Sequence, residues 1–221
     1  MQYRSLGQSD LSVSAIGMGC VTFGRELDPQ SSLLIMDYAF EQGITLFDTA
    51  EAYAQGASER VVGEWMQSRN SRGKIVLATK INGTLTRHRI ITSAEASLKR
   101  LQTDRIDLLQ THVWDESTPL EETLEALTTL VQQGKVRHIG CSNYSAPQLT
   151  AALALSDTAG LSRMVSVQPP YNLVQRDIEA EMLPLCTAEN IGVISYSPLA
   201  AGFLTGKYRK DAAIPSGTRF D

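Results

Sequence analysis

Cysteine is scarce: Cys20, Cys141 and Cys186 are the only three in 221 residues. An odd, widely separated set builds no disulfide framework and has no metal-ligand spacing. A reducing cytoplasm is therefore the expected compartment. No run of about 18 apolar residues occurs, so no membrane-spanning helix is expected. The N-terminal stretch MQYRSLGQSDLSVSAIGMGC carries Arg4 and Asp10 and lacks the apolar run of a signal peptide. There is no block of like charges, and the net charge of −4 argues against nucleic acid or an anionic membrane surface as partner. Several motifs are missing too. GMGCVTFG places Gly17, Gly19 and Gly24 outside the dinucleotide spacing. GFLTGKY is one residue too short for a phosphate loop and has Tyr208 where Ser or Thr is needed. The Gly-x-Ser-x-Gly elbow and the His-Glu-x-x-His zinc motif are absent, which removes the support for a hydrolase or a zinc enzyme.

What is there is alternation. Short apolar runs at 14–19, 44–50, 74–80, 106–112, 136–143, 164–169 and 192–197 read as strands. Helical patterns fill 31–43, 58–68, 89–101, 119–134, 146–156 and 177–190. In the fourth, Leu120, Leu124, Leu127 and Val131 recur at helical spacing and give it one buried face. Ser58 stands where a helix cap is expected, and Gly43 and Gly134 stand where helices should stop. Phe47, Ala78, Gln110, Ile139, Val167 and Ile194 are taken as equivalent strand positions, 27 to 32 residues apart. Each repeat is one strand and one helix, and strands apolar on both faces belong to a parallel sheet covered by helices. With no linker or shift of composition, residues 1–221 read as one domain.

Alternation alone suits either an open doubly wound sheet or a closed barrel. The strand ends separate them. Asp48, Lys80, His112, Ser142 with Asn143, Gln168, and Tyr196 with Ser197 fall at or near the C-terminal ends of strands two to seven. An open sheet makes only the ends at its switch point functional, whereas all strand ends of a barrel face one mouth. The expected fold is an α/β (β/α)8 barrel of the TIM type, preceded by an N-terminal hairpin. Seven strands are counted, so the last strand and helix unit is expected to be missing from the C-terminal end of this chain.

Asp48, Tyr53, Lys80 and His112 each have an ordinary structural reading: a turn cap, a packed ring, a solvated lysine, a core histidine. Their order along the chain carries more. FDTAEAYAQGASERVVGEWM resembles the Asp-Thr-Ala-x-x-Tyr-x-x-Gly-x-Ser-Glu signature of the aldo-keto reductases. VLATK resembles the strand with the lysine of that family, and DLLQTHVWD the strand with its histidine. GKVRHIGCSNY, VQPPYNL and VISYSPLAAGFLTGKY resemble its next three strands.

The resemblance implies reduction of an aldehyde or ketone with NADPH, NADH being the alternative, and no metal. Tyr53 is implied as general acid, with Lys80 lowering its pKa, Asp48 pairing Lys80, and His112 bonding the substrate oxygen. The cofactor would be bordered by Gly19, Thr22 and Asp48. It would be gripped by Ser142, Asn143 and Gln168, stacked on by Tyr196, and lined by Ser197 and Leu199. Trp114, Phe23 and Tyr53 suggest an aromatic wall to the pocket. HVWDE puts Trp114 one residue beyond the place the family commonly gives a tryptophan. A cofactor-binding regulatory subunit with little turnover is the alternative function, and a lyase or aldolase using Lys80 as a Schiff base is a third. The expected partner is a small carbonyl compound.

Overall fold

The computed structural model describes residues 1–221. A hairpin comes first, β1 (Tyr3–Ser5) antiparallel to β2 (Ser12–Ser14). Seven parallel strands then form one sheet in chain order: β3 (Gly17–Gly19), β4 (Leu46–Asp48), β5 (Val76–Ile81), β6 (Ile106–Thr111), β7 (Val136–Ser142), β8 (Met164–Gln168) and β9 (Gly192–Val193). The connecting helices are α1 (Pro29–Glu41), α2 (Ala57–Arg69), α3 (Arg87–Leu101), α4 (Leu120–Gln132), α5 (Ala146–Ala159) and α6 (Met182–Ala188). A parallel sheet whose strand order never reverses is the arrangement of the (β/α)8 class, since a doubly wound sheet changes direction at its switch point. β3 and β9 are the ends of the sheet and do not pair with each other.

Two apolar cores follow from strands buried on both faces. The larger lies between sheet and helices and includes Phe47, Trp65, Leu77, Leu109, Leu127, Ile139 and Leu149. The smaller fills the inside of the curled sheet. There Leu46, Val76, Ala78, Leu108 and Val165 meet Leu6, Leu11 and Val13 from the hairpin. The hairpin thus plugs the N-terminal end of the strands. Asp10 secures it, accepting from Arg137 Nη2 at 2.7 Å and meeting His138 Nε2 at 2.6 Å. Arg137 and Arg72 both reach the buried carboxylate of Asp107, which also accepts the Leu77 N–H. With that end sealed, polar groups converge on the other.

Four expectations need correction. The six strand positions taken as equivalent do not share a face. Phe47, Ile139 and Val167 pack toward the helices, while Ala78 and Ile194 belong to the inner core and Gln110 reaches Asp48 inside. Side chains alternate with period two, so an offset of one residue reverses the face. The helical pattern at 177–190 splits into a 3-10 turn, Asp177–Glu179, and the short α6. Pro184 forces this: a proline lacks the N–H and clashes with the preceding turn, so a helix holding it starts close before it. The last strand stops at Val193, and beyond it the Tyr196 backbone makes an isolated bridge to Pro170. Finally, Ser58 does not cap α2. Gly56, with φ 81°, occupies that position, and the Ser58 hydroxyl donates to the Cys20 carbonyl at 2.7 Å.

Candidate active site

β4 ends at Asp48 and β5 runs alongside it, so Asp48 and Lys80 face the interior from adjacent strands. Lys80 is fully buried, and all three ammonium hydrogens are used. Nζ donates to Asp48 Oδ2 at 2.5 Å, to the Thr49 carbonyl at 2.9 Å and to Tyr53 Oη at 3.2 Å. A buried ammonium without such partners would be costly. Burial pulls the Lys80 pKa down, but Asp48 and then Tyr53 pull it up by more, and it stays above its ordinary value.

Tyr53 arrives by an unusual backbone. Ala54 (φ 47°) and Gln55 (φ 53°) are left-handed, and Gly56 follows in the same region. Two non-glycine residues there cost roughly 1–2 kcal/mol each. Contacts on both flanks hold the turn. Before it, Glu51 accepts the Asn82 N–H and pairs with Arg89. After it, the fully buried Glu59 accepts from Thr79 Oγ1 and Arg100 Nε, each at 2.6 Å. The ring of Tyr53 lies with its centroid 5.0 Å from Lys80 Nζ and meets the His112 ring edge-on at 5.8 Å.

The direction of the Tyr53 shift corrects the sequence-based expectation. Burial raises its pKa, Lys80 lowers it, and Asp48 raises it again by offsetting the ammonium; the net direction is up. The phenol is therefore protonated at neutral pH. His112 is shifted down, first by burial and then by Lys80, which leaves the imidazole neutral. Its Nδ1 is buried without a partner, so no acceptor holds a proton there. The ring then carries its proton on Nε2, the nitrogen left open to the mouth.

Gln168 reaches the same cluster because of a bulge. Ile139 pairs with Met164 but Gly140 pairs with Ser166, so Val165 is an extra residue in β8. Met164 packs outward in the larger core. Without the bulge, residues 166 and 168 would follow it outward. With it, Gln168 Nε2 donates to Asp48 Oδ1 at 3.1 Å.

Ser142 and Asn143 sit beside it. The Ser142 hydroxyl donates to the Gln168 carbonyl at 2.8 Å. Asn143, at φ 58°, donates to the His112 carbonyl and to Ser142 Oγ, and its Oδ1 accepts from Tyr196 Oη at 2.8 Å. Ser197 lies next to Tyr196, and its carbonyl accepts from Asn172. Leu199 is 53% exposed, and neither Ser197 nor Leu199 contacts the charged cluster. Gly19 borders the cluster at the end of β3, where Cys20 N–H donates to the Asp48 carbonyl. Thr22 lies further along that loop, its carbonyl accepting from Arg25, Glu26 and Leu27.

The aromatic wall is not assembled as expected. Phe23 is fully buried in the larger core, and Trp114 packs edge-on against Tyr144 on the helix side of the sheet. Of the three rings, only Tyr53 belongs to the cluster. Gln110, which the sequence marks only as a strand position, joins the cluster too: its Nε2 donates to Asp48 Oδ1 at 3.2 Å. Its signal was present, as a lone amide near the end of the apolar run IDLLQT. Glu59 closes the Ser-Glu end of the quoted signature, but its place beneath the turn shows only in the structure, and Glu51, Arg89 and Arg100 leave no comparable mark, being charged residues in loops and helices.

The fold and this cluster define a protein of the (β/α)8-barrel class with a buried lysine, an aspartate and a tyrosine meeting at the C-terminal ends of its strands. The chain belongs to the Aldo/keto reductase family, whose sequence model matches residues 15–219. A protein named Probable voltage-gated potassium channel subunit beta, from Arabidopsis thaliana, is 41% identical over 100% of this chain and 70% of its own. Uncharacterized oxidoreductase YrpG of Bacillus subtilis (strain 168) is 39% identical over 99% of this chain and 72% of its own. Protein tas of Escherichia coli (strain K12) is 36% identical, with 99% and 74% covered. Family membership supports oxidoreductase chemistry with a nicotinamide cofactor. No helix is long and apolar enough to cross a membrane.

Proposed function

We propose that this chain carries the site of a carbonyl reductase that uses NADPH, with NADH as the alternative, to turn an aldehyde or ketone into an alcohol. The observation that carries the reading is the saturated Lys80 ammonium, which ties Asp48 and the Tyr53 hydroxyl to one buried point. The surroundings suit a nicotinamide dinucleotide. Asn143, Ser142 and Gln168 offer amide and hydroxyl groups that both donate and accept, as a carboxamide requires. Tyr196 offers a partly exposed ring. Ser197, Ala200, Ala201 and Gly202 all have positive φ, and the Lys207 ammonium lies 3.1 Å from where a Cβ on Gly202 would stand. The Ala200 and Gly202 N–H groups are bonded within the turn, to the Ser197 and Leu199 carbonyls, so the Lys207 ammonium is the part of it that fits a pyrophosphate.

When bound, the cofactor supplies a hydride. The protein supplies position and the proton. His112 Nε2–H donates to the carbonyl oxygen, orienting it and stabilising charge as it develops. Tyr53, protonated at neutral pH, gives its proton to that oxygen. Lys80 stabilises the phenolate that remains, and Asp48 keeps Lys80 in place. Asn143 Oδ1 accepts from Tyr196 and keeps a second lone pair for a carboxamide.

Mixing the protein with NADPH and a panel of aldehydes should consume absorbance at 340 nm. Tyr53→Phe should cut that rate by roughly 10²–10⁴-fold. An undiminished rate refutes the assignment of the acid. The second reading, a regulatory subunit, draws on the name of the Arabidopsis relative. Tight cofactor binding without turnover on any carbonyl would favour it. The three buried free cysteines support a reducing compartment such as the cytoplasm.

A further inference from the structure

The two oxygens of Asp48 keep different company. Oδ2 takes the lysine, whereas Oδ1 accepts two amides, from Gln110 at 3.2 Å and Gln168 at 3.1 Å. Gln110 is fully buried on β6, in register with Lys80 on one side and Gly140 on the other. Its own oxygen, Oε1, is buried with no partner. Flipping the amide would set Oε1 against a carboxylate oxygen, acceptor against acceptor, and would leave Nε2 unpaired. The orientation is thus fixed by Asp48 alone. A leucine or methionine could fill this position without burying an unpaired polar atom, so what the amide contributes is the bond to Asp48.

We propose that Gln110 is a positioning residue of this site: it holds Asp48 in the rotamer that pairs Lys80, so that Gln168 can turn to a cofactor without releasing the carboxylate. Gln168 has the place to do this, because its backbone carbonyl accepts the Ser142 hydroxyl, which in turn accepts from Asn143, and these are the groups proposed above for the carboxamide. Were Gln168 the only donor to Oδ1, engaging a cofactor would loosen the carboxylate that anchors Lys80. Gln110 removes that conflict. The effect reaches Tyr53 through Asp48. The groups facing the phenol are Asp48 from β4, Lys80 from β5, Cys20 after β3 and His112 after β6. Of these, Gln110 bonds Asp48 alone, and the positive end of its amide offsets part of the carboxylate's negative potential.

The cofactor part of this inference rests on the reductase reading; the link from Gln110 to Tyr53 does not. The test therefore starts with the titration of Tyr53 in the free full chain, followed by NMR of ring-labelled tyrosine and assigned with Tyr53→Phe. Gln110→Met should raise the Tyr53 midpoint by about half a pH unit or more. An unmoved midpoint in a variant that melts like the parent overturns the proposal. If Gln110→Met fails to fold, Gln110→Glu decides. Its new carboxyl can donate to Asp48 when protonated and repels it when ionised, so the Tyr53 signal should show an added inflection at lower pH. A single inflection overturns the proposal. In turnover assays Gln110→Glu should match the parent at low pH and lose activity through that same inflection, and activity indifferent to it counts against the role. A shifted titration in a protein without turnover upholds the link to Tyr53 and sinks the reductase reading instead.

Discussion

Replacing Asp48 with asparagine should destabilise the protein in a way that shrinks as the pH rises. In the parent, Asp48 and Tyr53 raise the Lys80 pKa against the pull of burial. Folded and unfolded chains then both hold the lysine proton between pH 7 and 9, and the stability this group contributes is flat there. It is lost only as pH climbs through the raised folded value. Asp48→Asn removes the larger of the two upward causes and leaves a fully buried ammonium with the Thr49 carbonyl and the Tyr53 hydroxyl. Its folded pKa should drop below the free value of about 10.4. The unfolded state then binds more protons, so the stability of the variant rises with pH until that free value is passed. The lysine can also escape by neutralising. Giving up the proton costs about 4.5 kcal/mol at pH 7 and about 2 kcal/mol at pH 9, which caps the damage from the unpaired charge. Urea unfolding at the two pH values should show a parent-to-variant gap of about 3–4.5 kcal/mol at pH 7 that narrows by about 1–3 kcal/mol at pH 9. Adding Lys80→Met to Asp48→Asn should abolish that pH dependence. A gap that is the same at both values, or that survives the second substitution with its slope unchanged, refutes the account of Lys80 as a charge held by Asp48.

Three more substitutions probe the same geometry. Ala54→Gly should stabilise the chain by about 0.5–1 kcal/mol, because φ 47° costs an alanine more than the added chain entropy of glycine, and the melting temperature should rise by about 1–4 °C. Gly140→Ala should destabilise by about 1–3 kcal/mol in urea titration, since its Cβ would stand 2.5 Å from Ser166 Oγ and 2.9 Å from the Ser166 carbonyl oxygen, which cannot rotate away. His112 has its folded pKa lowered, so the unfolded state takes the proton first and stability falls as pH drops below the free value of about 6.5. His112→Gln should lack that part of the acid sensitivity, seen as a flatter plot of unfolding midpoint against pH.

The sequence made the repeat and the parallel barrel sheet legible, together with the polar residues that close its strands, and each for a physical reason. Strands buried on both faces show as short apolar runs, and a polar residue closing each run marks the mouth. What escaped it was parity. The bulge at Val165 turns Ser166 and Gln168 inward although Met164 packs outward. MVSVQ alternates no differently with or without such a bulge, because the extra residue is itself apolar. Reading Gln168 as a site residue came from its place at a strand end and from family resemblance, not from a period that pointed inward. The sign of the Tyr53 shift escaped for a related reason. Lys80 beside a tyrosine suggests a lowered pKa, but burial raises it by more, and the carboxylate that holds the lysine adds to the rise. A pair of residues can be named from sequence, whereas a balance among three groups and their burial exists only in the folded arrangement. Gln110 belongs to the same lesson: a lone amide in an apolar strand was visible, yet only the geometry shows that its one bond goes to Asp48. The proton chemistry proposed for Tyr53 therefore depends on how firmly Asp48 is held, and two glutamines on strands as distant as β6 and β8 hold it by one oxygen.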